Sequence, residues 1–189
     1  MSGETPAALE HMRRAIALLE ADEDSLALAK AEGAYGQILV LDGRFEEAQA
    51  PLGNCVSTLE QAGRSDDLGL FVTDQAICSA ELGNADEAER LANKALGLLE
   101  QSPREQGGAV GALALVRVSR KDWAGAEPLF ARAVDLLGDD SQFEEAGRFC
   151  RAWASMLDEQ GRSDEAIKLG ARAEGLEKRA RPRSLRPSS

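Results

Sequence analysis

Six residues recur along this chain at an almost constant interval. GRFEEA at 43–48 returns as GNADEA at 83–88 and as GRSDEA at 161–166. Two degraded copies keep step, GETPAA at 3–8 and KDWAGA at 121–126. The closing alanines are Ala8, Ala48, Ala88, Ala126 and Ala166, separated by 40, 40, 38 and 40 residues. A fixed period of this length is the signature of a repeat architecture, in which each unit buries its apolar face against its neighbours.

The register extends in both directions. Seven residues after each alanine stand Ala15, Cys55, Ala95, Ala133 and Ala173. One further on stand Ile16, Val56, Leu96, Val134 and Glu174, and at offset eleven Leu19, Leu59, Leu99, Leu137 and Glu177. Offsets of 7, 8 and 11 share one helical face, so each hexapeptide opens a helix, here called B, with a buried stripe. Upstream, Gly36, Ala76, Ala114 and Ala154 hold an equivalent small position on a preceding helix, called A. A small residue there lets two helices cross closely. The A helices are predicted near 25–41, 66–82, 103–119 and 142–160. Ser102 with Glu105, Ser141 with Glu144, and Asn84 with Glu87 read as capping boxes, and Pro103 suits a first helical position. Gly43, Gly83 and Gly161 supply the left-handed turn that ends helix A. Each GxxxxA is thus the corner of a helical hairpin, and the sequence predicts an all-α chain of stacked antiparallel hairpins, an α-solenoid.

The small residue, the turn glycine, an aromatic at Phe45 or Trp123, and alanines seven apart resemble the tetratricopeptide repeat (TPR) family over about residues 3–180. That resemblance implies a right-handed superhelix. Two positions depart from the pattern: the period is 38–40 residues rather than about 34, and Lys121 stands where the third turn glycine belongs. Longer repeats of this kind are similar to the TPR arms of bacterial transcriptional and signalling regulators. HEAT-like repeats also run near 40 residues, but the GxxxxA register argues against them. The expected organisation is one array over residues 1–177. It has an orphan helix at about 6–20, then hairpins at about 25–60, 66–100, 103–138 and 142–180. A basic disordered tail follows at 181–189.

The two ends of the array differ. Glu174 and Glu177 occupy positions that are apolar in earlier copies, which gives a terminal repeat the polar outer face it needs. The first B helix keeps Ala8, Met12, Ala15, Ile16 and Leu19 but lacks its own A helix. Three arrangements fit: protein upstream, a lone N-terminal cap, or a second subunit covering it. Leu9, Met12 and Ile16 are the candidate homodimer contact.

Composition narrows the function. The chain carries a net charge of −11. From Lys178 onward it holds five basic residues and no acid, so residues 1–177 carry sixteen net negative charges. A body so acidic repels phosphates, and nucleic-acid binding by the array is not expected. Cys55, Cys78 and Cys150 form no CxxC, and His11 is the only histidine. A disulfide framework or metal site is therefore not expected, and buried reduced thiols in a cytoplasmic protein fit. AIALL at 15–19 is too short for a signal core, and no stretch approaches the roughly 20 apolar residues of a membrane span. No catalytic triad, P-loop or dinucleotide fingerprint can be assembled, so no enzyme activity and no cofactor are expected.

The TPR resemblance places the A helices along a concave groove that takes an extended or helical peptide. In register, that groove receives Lys30, Gly33 and Gln37, then Thr73, Asp74 and Ile77, then Gly111 and Leu115, then Arg148, Arg151 and Ser155. The Lys/Asn carboxylate clamp of some chaperone adaptors is absent, because Gly33, Gln37, Thr73 and Ile77 fill the matching places. Arg148 and Arg151, three apart, share a face. They either anchor an acidic group of a ligand or pair with acids such as Glu144, Glu145 or Asp158. The leading expectation is a noncatalytic protein–protein interaction module. The alternatives are a peptide-responsive sensor arm of a larger bacterial regulator and a self-associating structural scaffold.

Overall fold

A computed structural model describes residues 4–21, 24–64, 67–139 and 142–180. The described residues form an all-α fold of antiparallel hairpins, with no strand among them. Ser65, Asp66 and Ser141, and the 181–189 segment read as a tail, lie outside the described residues. The chain divides into two compact units, Met1–Glu100 and Gln101–Ser189.

The first unit contains α1 (Glu4–Ala21), α2 (Ser25–Leu41), α3 (Phe45–Gln61), α4 (Leu68–Glu81) and α5 (Ala85–Leu98). Helices α2 and α3 form one hairpin, α4 and α5 the next, with α4 also packed on α3 and α2. Leu39, Leu52, Cys55, Leu59, Val72, Ala76 and Ile77 are all buried at 1% exposure or less. Gly36 allows the α2–α3 crossing: a Cβ there would lie 2.6 Å from the Leu52 side chain.

The second unit contains a single 3₁₀ turn (Pro103–Gln106), then α6 (Gly107–Ser119), α7 (Trp123–Asp139), α8 (Phe143–Glu159) and α9 (Ser163–Ala180). Helix α6 pairs with α7 and α8 with α9, while α7 packs on α8. Its core is aromatic at one point. Phe149 and Phe130 are fully buried with ring centroids 6.5 Å apart, and Trp153 stacks on Phe130 at 6.2 Å.

The four A–B corners share one backbone solution. The residue ending the turn donates to the carbonyl five back, as in Arg44 N to Leu39 O at 2.8 Å, and the residue before it donates three back, as in Gly43 N to Val40 O at 3.1 Å. The same pair of bonds recurs at Gly83–Asn84, Lys121–Asp122 and Gly161–Arg162. This closure requires a positive φ, which Gly43, Gly83 and Gly161 adopt at 75–80°. Lys121 adopts it as well, at φ 59°, so the missing glycine changed the cost of the corner and not its shape.

Two of the capping boxes are not formed. Neither Ser102 nor Asn84 makes a side-chain cap, while Ser141, of the third, lies outside the described residues; the N-cap of α8 is Gln142. Glu87 instead takes two hydrogen bonds from Arg90, at 2.6 and 2.7 Å. A charged two-pronged partner outcompetes a backbone N–H. The start predicted at 103 is the 3₁₀ turn, and the α-helix begins only at Gly107, which fits against Leu137. The caps that do form are Asp24, accepting from Leu26 and Ala27, and Asp122, accepting from Gly125 at 3.0 Å.

The remaining letters of the hexapeptide now have a reason. Arg44 donates through Nε and Nη2 to both Glu47 oxygens at 2.7 and 2.6 Å, and Arg162 does the same to Glu165 at 2.7 Å. The arginine that leaves the turn therefore holds the acid three residues into helix B. That acid also sits at the positive end of the helix. These guanidinium bonds hold the Glu47 and Glu165 carboxyls below the usual carboxylate range.

Candidate functional site

On the A helices of the first unit, two cross-helix pairs sit one above the other. Lys30 Nζ donates to Asp67 Oδ2 at 2.6 Å, and Gln37 Nε2 donates to Asp74 Oδ2 at 2.9 Å. Lys30 and Gln37 are seven apart on α2, as are Asp67 and Asp74 across α4, so each set stays on one helical face. Gly33 lies between the rungs, and the Phe71 ring comes within 2.5 Å of where its Cβ would be. Lys30 and Asp67 remain 42% and 45% exposed. The ladder is therefore reachable from solvent.

Two predicted groove residues are in the core instead. Ile77 is fully buried, and Thr73 is 5% exposed with its hydroxyl donating to Gly69 O at 2.9 Å. The reason is the position of α4, which is packed against α2, α3 and α5 and buries residues on most of its circumference.

In the second unit Leu115 is half-buried on α6 and Ser155 is exposed on α8. Arg148 and Arg151 do not act as a pair. Arg148 lies 3.7 Å from Glu145 on its own helix and stacks 5.1 Å from the Phe149 ring centre. Burial pushes the Glu145 carboxyl up, against the pull of Arg148. Arg151 reaches away to Glu177 of α9. Of the acids named as possible partners, Glu145 is engaged by Arg148, whereas Asp158 accepts from Ser163 at 2.7 Å. Glu177, read from the sequence as a solvated cap, is the partner that reasoning missed. Gly111 lies under Phe149 and is fully enclosed.

At the N-terminal end α1 packs on α2, and Leu9 is already buried at 3% exposure. Leu9 is therefore not part of an open apolar end. Met12 and Ile16 are half-buried, and Arg13 donates to the Tyr35 hydroxyl at 3.0 Å. The exposed apolar side chain of α1 is Leu18, at 73%.

The cavities lie elsewhere. One cleft of about 810 Å³ opens between α3 and α5 in the first unit. A second of about 770 Å³ opens between α7 and α9 in the second. Cross-helix ion pairs also link these B helices: Glu60 with Lys94, and Asp135 with Arg172 at 3.0 Å. Among the described residues no group of three or more His, Cys, Asp or Glu side chains is placed to hold a metal, and no helix is long and apolar enough to cross a membrane. Cys55, Cys78 and Cys150 are buried free thiols, and burial pushes Cys55 up to about 11.

No protein-family model matches the chain, and no curated protein matches it. Solved structures do. BtubC (BKLC) from P. vanneervenii superposes with a TM-score of 0.59 at 16% identity, over 97% of this chain and 75% of that one. A putative kinesin light chain from Podosopora anserina with nearly identical TPR-like repeats is similar at TM-score 0.57 and 14% identity, over 95% and 90% of the two chains. A variant of the same protein gives 0.59 and 15%, over 94% and 89%. At these identities the likeness establishes the fold, a TPR-like helical repeat.

Proposed function

We propose that this TPR-like chain is a noncatalytic, cytoplasmic interaction module, a single array over residues 1–177 that holds an extended peptide or partner helix along its A helices. TPR-like folds generally mediate protein–protein interaction. The observation that carries the reading is the ladder of Lys30–Asp67 and Gln37–Asp74. Seven residues of helix rise about 10.5 Å, which matches three residues of extended peptide at roughly 3.3 Å each. Each rung offers a donor and an acceptor to a main chain laid across it. Such half-exposed pairs contribute at most about 1 kcal/mol, so a ligand opens them at small cost. On the second unit the groove positions are Leu115, half-buried on α6, and Ser155, exposed on α8.

The test is an affinity pull-down with the intact chain beside a Gln37→Ala/Asp74→Ala double variant, both shown to be folded by circular dichroism. The variant removes both partners of the Gln37–Asp74 bond together, so neither is left facing the other's gap. A partner held by the intact chain and lost by the variant supports the reading. Equal recovery refutes it.

A further inference from the structure

The geometry points to a second docking surface, an open stripe of α1, which takes a single amphipathic helix from another polypeptide. It lies apart from the ladder on the A helices. Helix α1 packs on α2 through the side that carries Leu9 and Arg13. The neighbouring stripe, Met12, Ala15, Leu18 and Leu19, is apolar throughout and stays open. Leu18 is 73% exposed and the other three are half-buried.

The other B helices show what covers this stripe. At the same register positions Leu52, Cys55 and Leu59 of α3, and Phe130, Ala133 and Leu137 of α7, are exposed by 1% or less. Their cover is the A helix of the same hairpin, which offers glycine where the B helix brings bulk. Gly36 lies against Leu52 and Gly107 against Leu137, and a Cβ on either glycine would lie 2.6–2.7 Å from the leucine. Gly69 meets Leu98 and Leu99, the counterparts of Leu18 and Leu19. Among the described residues α1 has no such hairpin partner.

The chemistry of the occupant follows. Met12, Ala15 and Leu19 match Leu52, Cys55 and Leu59 in size and polarity, so a helix shaped for α3 is shaped for α1. It turns small residues toward the stripe four and three apart, as α2 does with Ala29, Gly33 and Gly36. Burial of the methionine and leucines drives the contact. A second copy has no such helix to offer, because α2, α4, α6 and α8 are each paired with the B helix of their own hairpin. Two α1 helices set face to face would bring Leu18 and Leu19 together with no glycine to receive them.

The experiment uses fluorescence anisotropy with the full chain and a fluorescein-labelled peptide that has the sequence of residues 25–42. A second peptide carries Gly33→Leu/Gly36→Leu. That change closes the small positions while favouring helix, so weaker binding does not come from lost helicity. Leu18→Glu places a charge on the stripe at its most exposed residue. Ile167→Glu makes the matching change on α9, where the isoleucine is 70% exposed. The parent peptide should bind, and Leu18→Glu should weaken it about tenfold or more, the loss of one buried leucine contact. Ile167→Glu should stay within about twofold, and the leucine-substituted peptide should bind about tenfold more weakly. Gln37→Ala/Asp74→Ala, which reads the ladder, should leave the peptide unaffected. Equal weakening by the two Glu variants, or equal binding of the two peptides, would mean unspecific apolar adhesion and overturn the site. So would no binding of the parent peptide at about 100 μM chain. Loss with the ladder variant while Leu18→Glu binds normally would place the peptide on the A helices and overturn it as well. A dimer in light scattering that Leu18→Glu takes apart would put a second copy on the stripe, which also overturns the inference.

Discussion

Gly111→Ala adds one methyl group, and the structure sets what that methyl must displace. The added carbon falls inside the van der Waals shell of the Phe149 ring. Phe149 is fully buried, and behind it stands Phe130, itself covered by Trp153. The ring cannot withdraw without moving a second ring. Overpacking of this kind costs about 1–3 kcal/mol. Replacing a helical glycine with alanine returns roughly 1 kcal/mol of propensity. The net expectation is a loss of up to about 2 kcal/mol, which lowers the melting midpoint by up to about 8 °C for a chain of this length. Gly170→Ala is the control. It makes the same chemical change on α9, with nothing within 4 Å of the new carbon. Only the propensity gain remains there, and the midpoint should rise by about 1–4 °C. Thermal melts followed at 222 nm, with urea titrations alongside, measure both. If Gly111→Ala melted above the parent while Gly170→Ala rose as expected, the tight α6–α8 crossing would be wrong.

Other expectations follow from the corners and the core. Lys121→Gly should raise stability by about 0.5 kcal/mol, since relief of the left-handed backbone outweighs the added chain entropy; a lower urea midpoint would contradict the shared corner geometry. Ala114→Leu places a large side chain at a fully buried position and should cost about 1–3 kcal/mol, read from the same denaturation curves. In an NMR titration the Glu47 and Glu165 carboxyls should have midpoints below the ordinary carboxylate value, and Arg44→Ala should return Glu47 alone toward it. Because these folded values are lowered, the stability they contribute is present above the unfolded value and is lost as pH falls from there through the lower folded value. The three cysteines should resist an aromatic disulfide reagent at pH 8 in the native protein and react fully in denaturant. Burial raises the Cys55 value from about 9 to about 11, so its contribution holds below pH 9 and is lost as pH rises through that window.

The fold was legible because its period and its corners are local. Gly43, Gly83 and Gly161 announce their backbone by identity alone, and the alanine register fixes which helical face is buried. The Asn84 capping box was misread because Glu87 had a choice. A sequence window shows that an acid is three residues from an Asn, but not that Arg90 competes for it. The site was much less legible. Which acid Arg151 meets is decided by how α8 packs on α9, and Glu177 is twenty-six residues away. Ile77 looked like groove lining because its register matched, yet α4 is enclosed by its neighbours and exposes little of that register. The clefts had no signal at all, since each is a space between helices that are distant in sequence.

The corner built by Gly43, Arg44 and Glu47 has a consequence for how such a chain grows. Its backbone closure and its ion pair are both completed within nine residues, from the carbonyl of Leu39 to the carboxylate of Glu47. A segment copied in tandem brings this whole device with it and asks nothing of the rest of the protein. Point changes are then tolerated one corner at a time. Asn84 has lost the arginine, Lys121 has lost the glycine, and each corner still turns. A gene that lengthens by duplication can accept such drift in any copy because no copy depends on another for its turn.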